Sequence, residues 1–191
     1  MKTPSVNYVD DVAYIERFIM EEWVGRRIDN PYVVKVVEPG PGRRFLYYLT
    51  EDLPGPSLAQ KIAGGQPMDV AQGVAMAEKL VQGLRSFHRR ETLHQDIKPD
   101  NIFLQRNADM KMTVKILDFG FVKLMGAAET ESRPALTRSG IAFGTPSYMC
   151  PEQATGAPTD PRADLYAAGV VFFEMLAGRK PYVGEIPEGI R

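Results

Sequence analysis

The sequence predicts an α+β protein built from two unequal layers. A few strand-like runs come first in the chain, and mostly helical patterns follow them. The length of 191 residues is enough for one domain or one and a half. We find no internal repeat and no low-complexity segment, which argues against repeat and fibrous architectures.

Composition narrows the classes of partner and compartment. The net charge is −1, so we expect no strong attraction to nucleic acid or to anionic membranes. The single cysteine, Cys150, excludes an internal disulfide framework and fits a reducing, cytoplasmic location. There is no long apolar run and no apolar core after the first lysine, so we expect neither a membrane segment nor a signal peptide.

The first half of the chain predicts one helix and a pair of strands. Residues 11–27 have an amphipathic pattern in which Ile15, Ile19 and Trp23 recur every four residues and should face the core. The runs "YVVKVVE" and "RRFLYYLTE" flank "PGPG", which is typical of two paired strands around a loop. The stiff connector "DLPGPS" then marks a boundary between the two layers.

The second half predicts two long helices around a strand pair. Asp69 should cap a helix over residues 69–89, and "IFLQ" and "TVKILDF" should form strands around a turn at "RNAD". The polar stretch "GAAETESRPALTRSG" predicts a loop, and "ADLYAAGVVFFEMLAG" predicts a buried helix that ends at Gly178. The expected apolar stripe of the 69–89 helix comprises Val70, Val74, Ala77, Leu80, Val81 and Leu84.

The stretch "HQDIKPDN" gathers an unusual number of groups that move protons or hold cations. Asp96 and Asn101 are five residues apart on a turn that contains a proline, and Asp118 follows an apolar strand in "LDFG". If the strand end and the loop meet, Asn101 and Asp118 present two hard oxygen donors that suit Mg²⁺. Lys98 would offer a positive charge to a phosphate, and Asp96 would accept a proton from an attacking hydroxyl.

Four motifs in order carry a resemblance to a known family. "LHQDIKPDNIFL", "LDFG", "GTPSYMCPEQ" and "DLYAAGVVFFEMLAGRKPY" resemble the large lobe of a serine/threonine protein kinase of the bacterial, eukaryotic-type group. The resemblance covers nearly the whole chain. It implies a bilobal fold, with a partial small lobe of one helix, two strands and a hinge over residues 1–52 and a mostly helical, partial large lobe over residues 53–191.

The resemblance also implies roles for the residues in these motifs. Asp96 would be the catalytic base and Lys98 would steady the γ-phosphate of ATP. Thr145, in "GTP", would bond toward both of them. Asn101 and Asp118 would hold Mg²⁺, so ATP and Mg²⁺ are the expected cofactors.

Further roles follow from the same resemblance. Glu21 would pair with the ATP-binding lysine, which the spacing of 19 residues assigns to Lys2. Glu51 and Leu53 would offer hinge backbone groups to adenine, and Phe103 would lie under the ring. In addition, Asp164 would brace the backbone around Asp96, and Glu152 would be the acidic residue of "CPE".

The sequence departs from the family pattern at three points. Gln95 replaces the usual arginine, so control by a phosphate on the activation loop is in doubt. No G-x-G-x-x-G segment exists, and the chain ends soon after "GRKPY". We therefore expect an incomplete kinase domain, in which Glu152 is a buried carboxylate that lacks its arginine partner.

The expected function is transfer of the ATP γ-phosphate to a serine or threonine hydroxyl of a protein substrate. One alternative is an inactive, pseudokinase-like scaffold, which the absence of the glycine-rich loop favours and the intact Asp96, Asn101 and Asp118 oppose. A small-molecule kinase is a third reading, opposed by "GTPSYMCPEQ", the peptide-docking segment of the family. A fused or associated phosphatase or sensor domain is a conceivable partner.

Overall fold

The computed structural model describes residues 1–8, 10–40, 42–106, 112–119, 123–124 and 146–182. Its helices are α1 (Val12–Gly25), α2 (Leu58–Ile62), α3 (Val70–His88), α4 (Pro151–Thr155) and α5 (Pro161–Ala177). Its strands are β1 (Val36–Val37), β2 (Leu49–Thr50), β3 (Thr92–Leu93), β4 (Ile102–Arg106), β5 (Met112–Ile116) and β6 (Lys123–Leu124). This mixture of helices and short strands confirms the α+β class.

Helix α1 lies where the sequence predicts it but turns a different side to the core. The Asp11 carboxylate caps it by accepting a hydrogen bond from the Tyr14 amide at 3.1 Å. The predicted stripe is wrong, because Ile19 and Trp23 are 49% and 43% exposed, and Trp23 stacks against the side chain of Arg27. The buried residues of α1 are Phe18, Glu21, Glu22, Val24 and Gly25.

Strands β1 and β2 form the predicted antiparallel pair. Val36 lies opposite Thr50, and Val37 lies opposite Leu49. Beside this pair, the backbones of Lys2 and Tyr48 exchange two hydrogen bonds of 2.9 and 3.0 Å. The first residues of the chain are therefore held against the strand that leads to the hinge.

Helix α3 is capped by Asp69, whose carboxylate accepts a hydrogen bond from the Gln72 amide at 3.0 Å. Its predicted stripe is correct at Leu80 and Leu84. The stripe is wrong at three valines, which are substantially exposed: Val70, Val74 and Val81. The residues that α3 buries are Gly73, Met76, Leu80, Gly83, Leu84, Ser86 and Phe87.

Two glycines explain the difference at α3. A Cβ atom at Gly73 would lie 2.8 Å from Leu176 Cδ2 in α5, and one at Gly83 would lie 2.6 Å from Ile116 Cδ1 in β5. The helix therefore approaches both neighbours through positions without a side chain. A search for apolar side chains does not register such positions.

Helix α5 packs against α3 and ends where the sequence predicts. Gly178 adopts a left-handed conformation with φ of 67°, and its amide donates to the Glu174 carbonyl at 2.9 Å. Asp160 caps the other end by accepting a hydrogen bond from the Arg162 amide at 2.8 Å.

The predicted strand pair in the second half is β4 and β5, which pair antiparallel with Ile102 opposite Ile116. The turn predicted at "RNAD" lies partly outside the described residues. The polar loop predicted over 126–140 lies entirely outside them. Two features were not predicted, the pairing of β3 with β6 and the short helix α2. Helix α2 is stabilised by a capping box between Ser57 and Gln60.

One continuous apolar core extends from Phe18 in α1 to Met175 in α5. It includes residues on both sides of position 52, so the division into two lobes at that point stays a prediction. None of the helices in the described part of the chain has the length and apolarity that crossing a bilayer requires.

Candidate active site

Residues 94–101, which we name the catalytic loop, are fastened from below by a buried carboxylate. Asp164, near the start of α5, accepts hydrogen bonds from the backbone amides of His94 at 2.9 Å and Gln95 at 2.8 Å. His88 Nε2 lies 2.8 Å from the same carboxylate. Asp164 therefore braces the loop, as the resemblance implies.

The electrostatics of Asp164 agree with this bracing role. Burial by itself disfavours the charged carboxylate, but the hydrogen bond from His88, the neighbouring His94 and the two backbone amides outweigh it and lower the pKa of Asp164. The side chain of Asp164 is fully enclosed. A charged acceptor at this place satisfies three donors in the interior.

His94 has a structural part in the loop. The ring is fully buried, and its Nε2 donates to the Leu117 carbonyl at 3.0 Å, since a carbonyl can only accept. Its Nδ1 then accepts from the Asp96 amide at 3.3 Å. Both ring nitrogens are used in holding the loop against the strand that precedes Asp118.

Asp96, Lys98 and Asn101 converge within the loop. Asp96 Oδ2 lies 2.8 Å from Lys98 Nζ and accepts a hydrogen bond of 2.8 Å from Asn101 Nδ2. The Asn101 amide nitrogen also donates to the Asp96 carbonyl at 2.9 Å. Because the two amide hydrogens are directed at Asp96, the amide oxygen of Asn101 is the atom suited to a cation.

The backbone places Asp118 directly after the residue that pairs with Asn101. Leu117 donates its amide hydrogen to the Asn101 carbonyl at 2.8 Å, which continues the pairing of β4 with β5. Asp118 has φ of 62°, a left-handed conformation that is uncommon outside glycine but that aspartate adopts more readily than most residues.

The third part of the site is an ammonium group shared by two carboxylates. Lys2 Nζ lies 2.5 Å from Glu21 Oε1 and 2.9 Å from Asp118 Oδ1. Glu21 Oε1 also accepts a hydrogen bond from the Phe119 amide at 3.2 Å. The expected pairing of Lys2 with Glu21 is thus formed, and their part in binding ATP stays a prediction.

The pKa values at this cluster follow from burial and charge. Burial raises the pKa of Glu21 to about 7, with help from the hydrogen bond and the charge of Asp118, and Lys2 acts in the opposite direction. Burial disfavours the ammonium of Lys2, but the charges of Glu21 and Asp118 prevail and raise the pKa of Lys2. The place between Glu21 and Asp118 therefore favours a positively charged group such as the Lys2 ammonium.

Phe119 links α1 to the catalytic loop. Its ring lies 5.7 Å from that of Phe87, which contacts His94 edge-on at 5.3 Å. On its other side it contacts Gly25, where a Cβ atom would come within 2.9 Å of the Phe119 ring. Sequence reasoning missed Gly25, because a glycine inside a helical pattern gave no sign of a packing role.

The hinge region offers fewer free groups than the sequence suggests. The Glu51 amide donates to the Lys35 carbonyl at 2.9 Å, so its carbonyl is the backbone group left for a ligand. Leu53 packs against the core, half-buried. Phe103 faces Lys115 across the strand pair and also bridges to Ser57.

Two expected residues cannot be assigned to the cluster. Thr145 lies outside the described residues. Glu152 is exposed on α4, so the expectation of a buried carboxylate at this position is wrong. An exposed carboxylate pays no burial penalty for lacking an arginine partner.

A magnesium ion fits the donors of this site. The described residues contain no group of three or more His, Cys, Asp or Glu side chains that could hold a metal by themselves. Mg²⁺ in a nucleotide complex needs fewer protein ligands, because phosphate and water complete its shell. The Asp118 carboxylate already lies 2.9 Å from one cation, the Lys2 ammonium.

Comparison with known proteins gives one family and several relatives. The profile of the protein kinase domain matches residues 1–189. Serine/threonine-protein kinase PknL of Mycobacterium bovis is 31% identical over 97% of this chain and 44% of its own length. PknA of Corynebacterium glutamicum is 36% identical over 93% of this chain and 37% of its own length. The kinase pkn2 of Myxococcus xanthus is 33% identical over 90% of this chain and 20% of its own length. The chain thus spans less than half the length of these relatives.

Proposed function

Because the chain belongs to the protein kinase family, we propose that it transfers the γ-phosphoryl group of ATP to a serine or threonine hydroxyl of a protein substrate. The observation that carries the proposal is the contact of Asp96 Oδ2 with both Lys98 Nζ and Asn101 Nδ2, each at 2.8 Å. Leu117, which precedes Asp118, donates its amide hydrogen to the Asn101 carbonyl, and this backbone contact supports the proposal that Asp118 belongs to the same site. These are the groups that phosphoryl transfer requires.

In the proposed reaction, Asp96 accepts the proton of the substrate hydroxyl as its oxygen forms a bond to the γ-phosphorus. The bond from that phosphorus to the bridging oxygen of ADP breaks, and ADP leaves with the electron pair. Lys98, beside Asp96, stabilises the charge on the transferring group. The hydrogen bond from Asn101 fixes the Asp96 carboxylate in the orientation that proton transfer needs.

We propose that Asn101 and Asp118 hold Mg²⁺, which when bound neutralises charge on the ATP phosphates. Lys2 would then contact the nucleotide phosphates, and Glu21, 2.5 Å away, would keep it in place. In the chain as described, Lys2 also contacts Asp118 at 2.9 Å. Loading the site therefore requires that Lys2 move its contact from Asp118 to the phosphates.

The adenine ring is assigned to the hinge and the strand pair. Glu51 would accept a hydrogen bond through its carbonyl, and Leu53 would supply the neighbouring backbone group. Phe103, on β4, would lie beneath the ring. Thr145 would bond toward Asp96 and Lys98, a role that rests on the resemblance alone.

We do not expect regulation by a phosphate on the activation loop, because Gln95 stands where the family has an arginine. Gln95 Nε2 donates to Thr159 Oγ1 at 2.7 Å, and the Gln95 carbonyl accepts from Gln153 Nε2 at 2.7 Å. These neutral contacts link the catalytic loop to α4 and the segment after it. Gln95 therefore contributes hydrogen bonds between neutral groups, where the arginine usual in the family would contribute a charge that can bind phosphate.

The scaffold alternative is not favoured by the relatives, which are named as serine/threonine kinases. Location in the cytoplasm and a fused or associated phosphatase or sensor domain remain proposals. The free, buried thiol of Cys150 is consistent with a reducing compartment.

The test is transfer of labelled γ-phosphate from Mg·ATP to a generic protein acceptor. Asp96→Ala should lower the rate by about 10²–10⁴-fold, the usual contribution of a positioned base. Asp100→Ala, which removes an exposed acid from the same loop, is the matched control and should retain most of the rate. Equal rates for the wild-type protein and Asp96→Ala would overturn the assignment.

A further inference from the structure

Helix α1 has an apolar stripe on the side that faces away from the core. Val12, Ile19 and Trp23 are 70%, 49% and 43% exposed. Because each residue turns the helix by about 100°, these side chains and that of Glu16 fall within about 60° of its circumference. We name these four residues the outer stripe. They form a continuous row along the helix, whereas single apolar residues scattered over a surface need no explanation.

The outer stripe has an unpaired charge near each end. Glu16 is exposed and, among the residues that the structure describes, forms neither an ion pair nor a hydrogen bond. Arg27, just after the helix, stacks on Trp23 with its guanidinium carbon 3.6 Å from the ring centroid. Its Nη1 donates to the Trp23 carbonyl at 3.0 Å, and no carboxylate in the described part of the chain lies within ion-pair distance of it.

The neighbouring charges of α1 are engaged elsewhere. Arg26 pairs with Glu38 at 2.5 Å, and the Asp11 carboxylate caps the helix. Arg17 lies about 100° around the helix from Glu16 and has an interaction of its own. The carboxylate and the guanidinium at the two ends of the outer stripe are therefore the charges available to a partner.

We propose that the outer stripe binds the outer stripe of a second copy of this chain, with the two α1 helices antiparallel. A two-fold axis close to Ile19 places Glu16 of each copy at the level of Trp23 of the other. The Arg27 guanidinium lies over that tryptophan, so the carboxylate of one copy meets the guanidinium of the other. The axis produces this contact twice and brings the two Ile19 side chains together at the centre.

Self-complementarity favours a second copy as the partner. A parallel pair would bring the two carboxylates together and the two guanidinium groups together, which is repulsive. The antiparallel pair covers three exposed apolar side chains from each copy and forms two ion pairs between groups that otherwise lack them. The outer stripe is roughly 16 Å long, so the interface is small and we expect a dissociation constant of about 10–100 µM.

The inference goes beyond the proposed function and does not depend on it. Glu21, which pairs with Lys2, lies about 180° around α1 from Val12. The second copy would thus contact the helix that positions the candidate active site from the side opposite that site. Association is measured without nucleotide, so its failure and the failure of the kinase proposal are separate results.

The experiment is sedimentation of the purified protein at concentrations from about 1 to 300 µM. We expect a reversible equilibrium between monomer and dimer, in which the dimer fraction rises with concentration. Ile19→Lys places two ammonium groups at the axis and should weaken association by at least about tenfold.

Charge reversal tests the register of the pair. Glu16→Arg or Arg27→Glu alone brings like charges together at both contacts, so each variant should associate at least about tenfold more weakly than the wild-type protein. An equimolar mixture of these two variants has opposite charges at both contacts and should form a dimer again. This recovery requires that residue 16 of one copy meets residue 27 of the other.

Matched variants separate the contact from a general effect of charge. Glu78→Arg in α3 and Arg89→Glu at its end make the same changes of charge at exposed positions, and each should alter association by less than about twofold. Urea denaturation of every variant verifies that it folds. If Ile19→Lys does not fold, the charge reversals at exposed positions still decide the outcome.

Three results would overturn the inference. One is a monomer at every concentration up to about 300 µM, which would leave the outer stripe to a different protein or to a further segment of a longer chain. Another is a dimer that the reversals at Glu16 and Arg27 weaken no more than the control reversals do. The third is a mixture of the two reversed variants that remains monomeric.

Discussion

The catalytic loop and the Lys2 edge of the same site differ in how the chain holds them. The loop is fixed by a fully enclosed carboxylate, Asp164, with three donors around it. Lys2 is 43% exposed at its side chain and is attached through one pair of backbone hydrogen bonds and two ion pairs. We infer that the loop is preorganised by the interior, whereas the lysine edge can rearrange when nucleotide binds.

The largest effect on stability should come from removing the brace of the loop. Asp164→Ala leaves two backbone amides and His88 without their acceptor in the interior, so we expect a loss of about 3–5 kcal/mol in the free energy of unfolding. Denaturation by urea measures this loss. Asp160→Ala at the start of the same helix, which removes an exposed cap and an exposed ion pair with Arg162, should cost much less. Equal losses would show that Asp164 is not a special anchor.

A smaller effect is expected at the contact between α1 and Phe119. Gly25→Val places atoms within 2.9 Å of the Phe119 ring and against Val36, so the unfolding free energy should fall by about 1–3 kcal/mol. The matched control is Gly169→Ala in α5, where a Cβ atom meets nothing within 4 Å. That change should stabilise the protein by about 0.5–1 kcal/mol. A neutral Gly25→Val would contradict the packing described here.

Lowering the pH should reduce the contribution of Asp164 to the free energy of unfolding. The pKa of Asp164 is lowered by folding, so its contribution to stability is present above the ordinary value of 3.8 and is lost as the pH falls through the folded-state value. The difference in unfolding free energy between the wild-type protein and Asp164→Asn should therefore narrow as the pH is lowered below about 4. Urea denaturation at several pH values measures it, and a difference that widens in acid would be inconsistent with a lowered pKa.

The smallest change in stability should come from the lysine edge. Lys2→Met should alter the unfolding free energy by no more than about 1 kcal/mol, because the ammonium is 43% exposed and Glu21, whose pKa is raised to about 7, can take up a proton when its partner is lost. The same variant should lose most of its affinity for Mg·ATP in a calorimetric titration, whereas Lys61→Met should not. Retained nucleotide affinity in Lys2→Met would remove Lys2 from the proposed site.

The sequence predicted the elements better than it predicted which side of each is buried. The caps Asp69 and Gly178 were found correctly, because capping depends on the residue itself and its near neighbours. The stripe of α1 was wrong, and that of α3 was wrong at Val70, Val74 and Val81 but correct at Leu80 and Leu84. In α1 the inward glutamates have partners in Lys2 and in Arg43, which lies 2.9 Å from Glu22. A hydrophobic pattern cannot indicate such long-range pairing.

The candidate site shows the same limit. The proximity of Asp96 to Asn101 could be reasoned from spacing, since both lie on one turn. The bracing by Asp164 joins residues about 70 positions apart and came only from the resemblance. The short helix α2 had a local signal in Ser57 and Gln60, but its five residues are too few for a periodic pattern to show. The strands β3 and β6, whose pairing was not predicted, have two residues each and depend on tertiary contacts.

The most direct test of the account concerns the convergence of Asn101 and Asp118 on a metal-bound nucleotide. We would titrate ATP into the wild-type protein and into Asp118→Asn, each with and without Mg²⁺. We expect Mg²⁺ to strengthen ATP binding to the wild-type protein, and we expect Asp118→Asn to abolish this increment. An increment of the same size in both proteins would contradict it.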